Sequence, residues 1–189
     1  YYQITQFKKH FHDYINTHSF TDVIQHKPGE RIEVDWAGTP VMYMDPDHGE
    51  MVSGSLFVAV LPFSGYTFAW ACPDQKQASW IDVHLRMFSY FGGVSQLPVP
   101  DNLKTGVIKH PKYEDPILNV SYREMAEHYG CVVLPTRVRK PKDKASVENS
   151  VNQLTRFIIA RLRNHQFFTL MEYNEQFHIT LDAFNHKPF

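Results

Sequence analysis

The order of strand-like and helix-like patterns constrains the fold of this 189-residue chain most strongly. Residues Arg31–Trp36 alternate, with Ile32 and Val34 on one side and Glu33 and Asp35 on the other. This period of two is typical of a strand with two different faces. Further strands are predicted at Val41–Met44, which extends the first, at Val52–Leu61 and at Tyr66–Ala71, with turns between them. The simplest arrangement is an antiparallel meander of three strands.

Helical and strand-like segments alternate through the rest of the chain. The predicted helices are 77–91, which ends at Gly92 and Gly93, 121–129 with a capping box of Ser121 and Glu124, 146–163, and 169–184 with a capping box of Thr169 and Glu172. In the first of these, Ile81, Leu85 and Phe88 form one stripe, which Trp80, His84 and Met87 widen. Short extended segments are predicted at 96–100 and at Cys131–Leu134. The pattern therefore favours a mixed α/β sheet with helices packed on it.

Three carboxylates fall in three different elements of this pattern. Asp35 lies on the first strand, Asp101 follows a short strand, and Glu148 lies near the start of a helix. Three hard oxygen ligands are what two Mg²⁺ or Mn²⁺ ions need for an in-line phosphoryl displacement. Each acid alone has another interpretation: a salt bridge from Asp35 to Arg31 or another cation, an Asx turn at Asp101-Asn102, and a solvated helix face at Glu148.

The helix that carries Glu148 has two distinct faces. Its core-facing stripe is formed by apolar residues at steps of three and four: Val147, Val151, Leu154, Ile158 and Leu162. Glu148 shares a different face with Asn152, Arg156 and Arg163. The preceding segment 137–144 carries five cations and one anion, a local charge of +4, although the net charge of the chain is −1. A local basic patch beside a metal-binding acid favours a polyanionic substrate.

Composition limits the remaining classes of function. Hydrophobic residues make up 43% of the chain, which is typical of a globular protein and excludes disorder. The two cysteines, Cys72 and Cys131, lie far apart, which disfavours a disulfide framework and a cysteine-built zinc site and suits a reducing cytosol. No apolar run approaches the length of a membrane span. The chain lacks an initiator Met, and we expect a fragment with three parts: a linker helix in 1–27, a core in 28–165 and a terminal helix in 166–189.

Four short motifs carry a resemblance to a known family. They are KPGE at 27–30, VDWAG at 34–38, PDNLK at 100–104 and DAFNHKP at 182–188. With the βββαβαβα order, they resemble the catalytic core shared by retroviral integrases and DDE transposases, and most closely the IstA-type transposases of bacterial insertion sequences. The gap of 47 positions between Asp101 and Glu148 is longer than in the retroviral enzymes, and the insertion is expected in Lys104–Asn119.

The resemblance implies a ribonuclease-H-like fold, with a mixed five-stranded sheet and helices on both faces. It also implies that Asp35, Asp101 and Glu148 are catalytic and hold two Mg²⁺ or Mn²⁺ ions. Implied partners are double-stranded DNA from transposon ends and target, a companion AAA+ ATPase, and further copies of the chain in the active complex. A bacterial cytoplasmic location at the nucleoid is expected, with a helix-turn-helix region and a small β-barrel elsewhere in the protein.

The predicted function is that of a transposase catalytic domain, which hydrolyses transposon ends and then uses the freed 3′-hydroxyl to attack and join target DNA, without a covalent protein–DNA intermediate. The alternatives are a nuclease or resolvase of the same superfamily, and a non-catalytic DNA-binding or dimerisation module. The predicted DNA contacts are Lys104, Arg137, Arg139, Lys140, Lys142, Lys144, Asn152 and Arg156.

Overall fold

The structure is a computed structural model that describes residues 3–17, 26–100, 106–109, 117–136 and 145–186. The helices are α1 (Ile4–Thr17), α2 (Gln77–Phe91), α3 (Val120–Tyr129), α4 (Ala145–Leu162) and α5 (Leu170–Asn185). The strands are β1 (Arg31–Trp36), β2 (Val41–Met44), β3 (Met51–Val60), β4 (Thr67–Cys72), β5 (Leu97–Pro100), β6 (Val107–Lys109) and β7 (Ile117–Leu118). These bounds agree with the predicted elements to within one residue for β1 to β5, α2, α4 and α5.

The main sheet is built around β3, which is long enough to pair with three other strands. Both β1 and β2 run antiparallel to β3: β1 pairs with its C-terminal half and β2 with its N-terminal half. The hydrogen bond from Ala37 N to Leu56 O (2.8 Å) continues the ladder between β1 and β2, so these two form one interrupted strand. On the opposite edge of β3 lies β4, also antiparallel, while β5 pairs with β1 in parallel. The predicted meander and the mixed five-stranded sheet are confirmed.

The segment 131–136 lies along the free edge of β5 without forming a complete strand. Val132 N, Leu134 N and Thr136 N donate to the carbonyl oxygens of Gln96, Pro98 and Pro100, at 2.9, 2.8 and 3.1 Å. In a parallel ladder, the nitrogens of residues 98 and 100 would donate the returning bonds, but proline has no N–H. The strand predicted at Cys131–Leu134 is therefore present only as an extended segment with half a ladder.

Helices cover both faces of the sheet, as predicted. One face carries Ile32, Val34 and Trp36 and packs against α2 and α3. The opposite face packs against α4 and α5 through apolar side chains on both layers, including Val58, Val60, Leu154, Ile158, Phe177 and Leu181. The sheet is thus buried on both sides, and the two faces of β1 are covered by different helix pairs.

Two asparagines of α5 seal the outer edge of β4. Asn174 accepts from Ala71 N (2.8 Å) and donates to Ala71 O (3.0 Å). Asn185 does the same with Thr67 N (3.0 Å) and Thr67 O (2.7 Å). Each amide side chain replaces one residue of a neighbouring strand, so the edge is closed against further strand pairing.

Three local predictions need correction. The predicted capping box of Ser121 and Glu124 is not the cap of α3. The N-cap is Asn119, one residue before the helix, and its side-chain oxygen accepts from Ser121 N (3.1 Å). This Asx turn satisfies the Ser121 N–H that the predicted box would have used. In α2, the buried stripe is centred on Trp80, His84 and Met87, while Leu85 is 40% exposed. The predicted insertion contains, in its described ends, the β6–β7 hairpin, which the sequence pattern did not indicate.

The linker helix expected in residues 1–27 is present as α1 (Ile4–Thr17). Its apolar stripe is exposed, with Ile4, Phe7 and Phe11 between 54% and 73% accessible, so it does not pack into the described core. Across the described ranges, none of the helices combines the length and the apolar character needed to cross a bilayer.

Candidate active site

The side of the sheet that carries Asp35 follows from the register of β1. Asp35 is paired with Val58 on β3, and cross-strand partners share a face. Val58 belongs to the core under α4 and α5, whereas the neighbours of Asp35 in sequence, Val34 and Trp36, belong to the opposite core. The half-buried Asp35 carboxylate therefore lies on the α4 side, where its Oδ1 accepts from Trp36 N at 2.9 Å.

A buried ion pair lies on the same strand face, two residues before Asp35. Arg31 Nη2 is 3.0 Å from Glu33 Oε1, and the Glu33 side chain is only 2% exposed. The sequence suggested a salt bridge between Arg31 and Asp35. In the structure, the Nη2 atom of Arg31 pairs with Glu33. Burying the pair keeps the Glu33 charge balanced, because a buried carboxylate without a partner would be costly.

The strand that precedes Asp101 ends beside Asp35. Pro100, the last residue of β5, pairs in parallel with Val34 on β1. Asp101 itself lies outside the described residues. Val34 immediately precedes Asp35, and Pro100 immediately precedes Asp101. These two preceding residues are therefore in register on adjacent parallel strands.

Glu148 lies in the first turn of α4 and is exposed. This helix packs against β1 and β3, the strand of Asp35 and its neighbour. Leu154, Ile158 and Leu162 bury the sheet-facing stripe, as predicted. Asn152, Arg156 and Arg163 are exposed, so the predicted division of α4 into an apolar and a polar face is confirmed.

Most of the predicted cationic contacts lie outside the described residues: Lys104, Arg137, Arg139, Lys140, Lys142 and Lys144. Within the described ranges, no group of three His, Cys, Asp or Glu side chains comes together around a possible metal position. Of the three predicted acids, Asp35 and Glu148 lie within those ranges. The donor set itself fits a hard cation, since carboxylate oxygens are the ligands that Mg²⁺ and Mn²⁺ prefer.

Two buried titratable groups in the described core on the other side of the sheet, His84 and Cys72, are not poised to act as a base or a nucleophile. His84 is fully buried and its pKa is lowered to about 4 by that burial. Its Nδ1 lies 2.8 Å from Trp80 O, which can only accept, so Nδ1 carries the proton and Nε2 accepts from Tyr122 Oη at 3.2 Å. Burial also raises the pKa of Cys72 to about 12, which keeps this free thiol protonated and inert.

A cleft on the outer side of α4 was not predicted from the sequence. We call it the α4–α5 cleft; it has a volume of about 920 Å³ and is bounded by α4, the end of α5 and the β3–β4 turn. Its lining includes Tyr66, Asn149, Gln153, Arg156, Phe157 and Phe184. The only sequence signal was the mixture of amides and Arg156 on the polar face of α4, because the turn and α5 reach this place through the fold alone.

Comparison with known proteins agrees with this architecture. The family model described as the integrase core domain matches residues 25–141. A chain from Pseudomonas fluorescens assigned as a transposase for insertion sequence IS1162 is 41% identical over 188 residues, which cover 100% of this chain and 33% of the relative. The transposase for insertion sequence element IS21 of Pseudomonas aeruginosa is 27% identical over 143 residues, covering 76% of this chain and 35% of that one.

Solved structures show the same fold at low sequence identity. The catalytic core domain of BIV integrase superposes with a TM-score of 0.58 at 13% identity, covering 85% of this chain and 86% of that one. The HTLV-2 integrase catalytic core domain, determined in complex with magnesium, gives 0.60 at 15% identity and covers 85% and 89%. The fold is therefore the ribonuclease-H-like fold of integrase catalytic cores.

Together, the sheet order, the position of α4 beside β1 and these matches define the class as an integrase-type catalytic core. The chain belongs to the integrase core domain family. It spans about one third of the length of the insertion-sequence relatives that it matches.

Proposed function

We propose that this chain is the catalytic domain of a DNA transposase, with Asp35, Asp101 and Glu148 as its three catalytic carboxylates. The observation that carries the proposal is the arrangement of β1, β5 and α4. Asp35 lies on the face that α4 covers, Glu148 lies in the first turn of α4, and Pro100 is in register with Val34. Asp101 directly follows Pro100 in the sequence.

The three carboxylates would hold two Mg²⁺ or Mn²⁺ ions. When bound, such ions activate the attacking oxygen and stabilise the charge on the leaving oxygen of a phosphodiester. The protein contributes a rigid platform, because β1 lies between β3 and β5, the 131–136 segment lines the outer edge of β5, and α4 is anchored by Leu154 and Ile158. In the proposed sequence, water first frees the 3′ end of the transposon, and this 3′-hydroxyl then attacks the target phosphodiester with no covalent protein–DNA intermediate.

DNA phosphates would be held by cations around this platform. Asn152 and Arg156 are exposed on the polar face of α4, one and two turns after Glu148. The remaining proposed contacts are Lys104, Arg137, Arg139, Lys140, Lys142 and Lys144. Loss of any of these charges is expected to weaken DNA binding broadly and to flatten its salt dependence.

The wider assembly belongs to the same proposal. Double-stranded DNA from transposon ends and target would be the substrate, several copies of the chain would act together, and a companion AAA+ ATPase would assist. We also propose that the protein acts in the bacterial cytoplasm at the nucleoid, and that residues 28–165 form the catalytic unit, with 1–27 and 166–189 as a linker helix and a terminal helix.

Conservative substitutions of the acids test the assignment. In Asp35→Asn and Glu148→Gln, cleavage and joining of end DNA with Mg²⁺ should fall by about a hundredfold or more, the scale of removing one group that stabilises transition-state charge. DNA binding should persist, since the cations remain. Near wild-type rates in either variant would refute the triad. Pre-cut 3′-hydroxyl ends separate a recombinase from a plain nuclease, because only the recombinase forms joined products.

A further inference from the structure

The α4–α5 cleft begins one residue beyond Glu148. Asn149, Gln153 and Arg156 line it from α4 and are exposed. At about 1.5 Å per residue, the line from Asn149 to Arg156 extends roughly 10 Å along the helix. A strand that leaves the proposed catalytic site along the polar face of α4 would therefore meet this cleft.

The opposite walls of the cleft are aromatic. Tyr66 lines it from the β3–β4 turn and Phe184 from α5, while Phe157 of α4 packs edge-on against Phe184 with ring centroids 5.5 Å apart. The Arg161 guanidinium lies over one face of Phe157, 4.1 Å from the ring centroid, so the half-buried rings of Tyr66 and Phe184 provide the accessible part of this wall. Aromatic rings of this kind provide stacking surfaces for nucleic-acid bases.

The turn holds Tyr66 in place before any ligand binds. Tyr66 O accepts from Leu61 N (3.0 Å), Gly65 N donates to Leu61 O (2.8 Å), and the Tyr66 ring stacks on Tyr90 at 5.9 Å. Ser64 N also donates to Leu61 O (3.2 Å) and the Tyr66 ring meets Phe91 edge-on at 6.1 Å, so three backbone bonds and two ring contacts fix the turn. A preorganised aromatic loses little conformational entropy when it contacts a ligand.

The charge of the cleft suits a phosphate. Among the residues that the structure describes, Arg156 is the cation of the lining, and the lining contains no Asp or Glu. Within the described part of the chain, Arg156 makes no salt bridge, unlike Arg86, which pairs with Asp82 at 2.7 Å. Asn149 and Gln153 add amide donors and acceptors, and are joined to each other at 3.2 Å.

We propose that the α4–α5 cleft binds one unstacked nucleotide of a DNA strand, with its base against the aromatic wall and its phosphate on Arg156. A volume of about 920 Å³ lies within the range of small-molecule sites and leaves room for such a group. The inference rests on the proposed function, since it takes the ligand to be the DNA substrate. It adds a base-stacking subsite to the predicted phosphate contacts.

The test compares two labelled single-stranded oligonucleotides of equal length, oligo-dT and a fully abasic strand, by fluorescence anisotropy in EDTA. Tyr66→Ala should weaken oligo-dT binding about fivefold or more and leave abasic binding unchanged, the lower limit expected for one base stacked on one ring. The matched control is Phe63→Ala, which removes an exposed ring from the same turn outside the cleft lining. Tyr66→Phe keeps the ring and should bind like the wild type.

Charge variants at exposed positions keep the test independent of folding. Arg156→Ala should weaken the binding of both oligonucleotides more than Arg163→Ala does. Gln153→Glu should likewise weaken their binding more than Gln176→Glu does. All four positions are exposed, but only Arg156 and Gln153 line the cleft. Equal effects within both pairs, or equal effects of Tyr66→Ala and Phe63→Ala, would overturn the proposal. The EDTA excludes metal-dependent chemistry, so failure here leaves the Asp35→Asn result unaffected, and failure of the triad leaves this result unaffected.

Discussion

Truncation of Asn174 is expected to be among the most destabilising polar substitutions in the described part of this protein. Its side chain is 3% exposed and serves both Ala71 N–H and Ala71 C=O, which are buried at the edge of β4. Asn174→Ala leaves both backbone groups without their partner, at about 1–3 kcal/mol for each. A water that enters the space left by the amide would recover part of this loss, so we expect a total of about 2–4 kcal/mol.

Urea unfolding, followed by circular dichroism, measures this change directly. The midpoint should fall while the m-value stays constant, and the melting temperature should drop by about 4–16 °C for a chain of this size. Asn149→Ala is the matched control, because it truncates an exposed asparagine and should change the unfolding free energy by less than about 0.5 kcal/mol. If Asn174→Ala is as stable as Asn149→Ala, the idea that this amide completes the edge of β4 is wrong.

Two further predictions concern the core on either side of the sheet. Gly54→Ala should lower the unfolding free energy by about 1–3 kcal/mol in the same urea assay. The added Cβ would lie 2.8 Å from Cys72 O and 3.0 Å from Val41 Cγ2, and both atoms belong to packed strands. If the variant is as stable as the wild type, this close approach is absent. Burial lowers the pKa of His84 to about 4, below its value of about 6.5 in the unfolded chain, so the unfolded state binds the proton first as the pH falls. The contribution of His84 to the unfolding free energy should therefore be fully present above pH 6.5 and should decrease toward pH 4 by up to about 1.4 kcal/mol per pH unit. His84→Gln should remove this part of the pH dependence of the unfolding free energy. An unchanged pH dependence in His84→Gln would contradict the assignment of a buried neutral histidine.

The periodic elements could be predicted from the sequence because their patterns are local. The alternation in Arg31–Trp36, the glycine that ends α2 and the Thr169–Glu172 pair all act within a few residues. In α5, Thr169 Oγ1 accepts from Glu172 N at 3.1 Å, and Glu172 Oε2 accepts from Phe168 N at 2.9 Å, which is close to the predicted capping box.

Features that depend on long-range contacts were less accessible. Pro98 and Pro100 deprive the 131–136 segment of half its ladder, and that effect appears only when the pairing partner is known. Asn174 and Asn185 have no sequence signal for their roles, since their partners lie 103 and 118 residues away. The β6–β7 hairpin likewise forms where the pattern indicated only an insertion.

In the candidate site, too, the local features could be predicted from the sequence and the long-range ones could not. The face of Asp35 followed from strand alternation, and the two faces of α4 from helical spacing. The Arg31–Glu33 ion pair was missed because the sequence equally allowed a pair with Asp35. The α4–α5 cleft was missed because its walls come from three elements that are distant in sequence, at Tyr66, Arg156 and Phe184.

The central claim, that Asp35, Asp101 and Glu148 converge on divalent ions, is tested most directly by a crystal structure of the protein soaked in Mn²⁺. Anomalous difference maps should show Mn²⁺ between the α4 end and the paired ends of β1 and β5, with carboxylate oxygens of all three residues as ligands. The Asp35→Asn variant, soaked under the same conditions, should lose this density. Mn²⁺ bound elsewhere, or a Glu148 carboxylate that does not reach the ions bound by Asp35 and Asp101, would contradict the account.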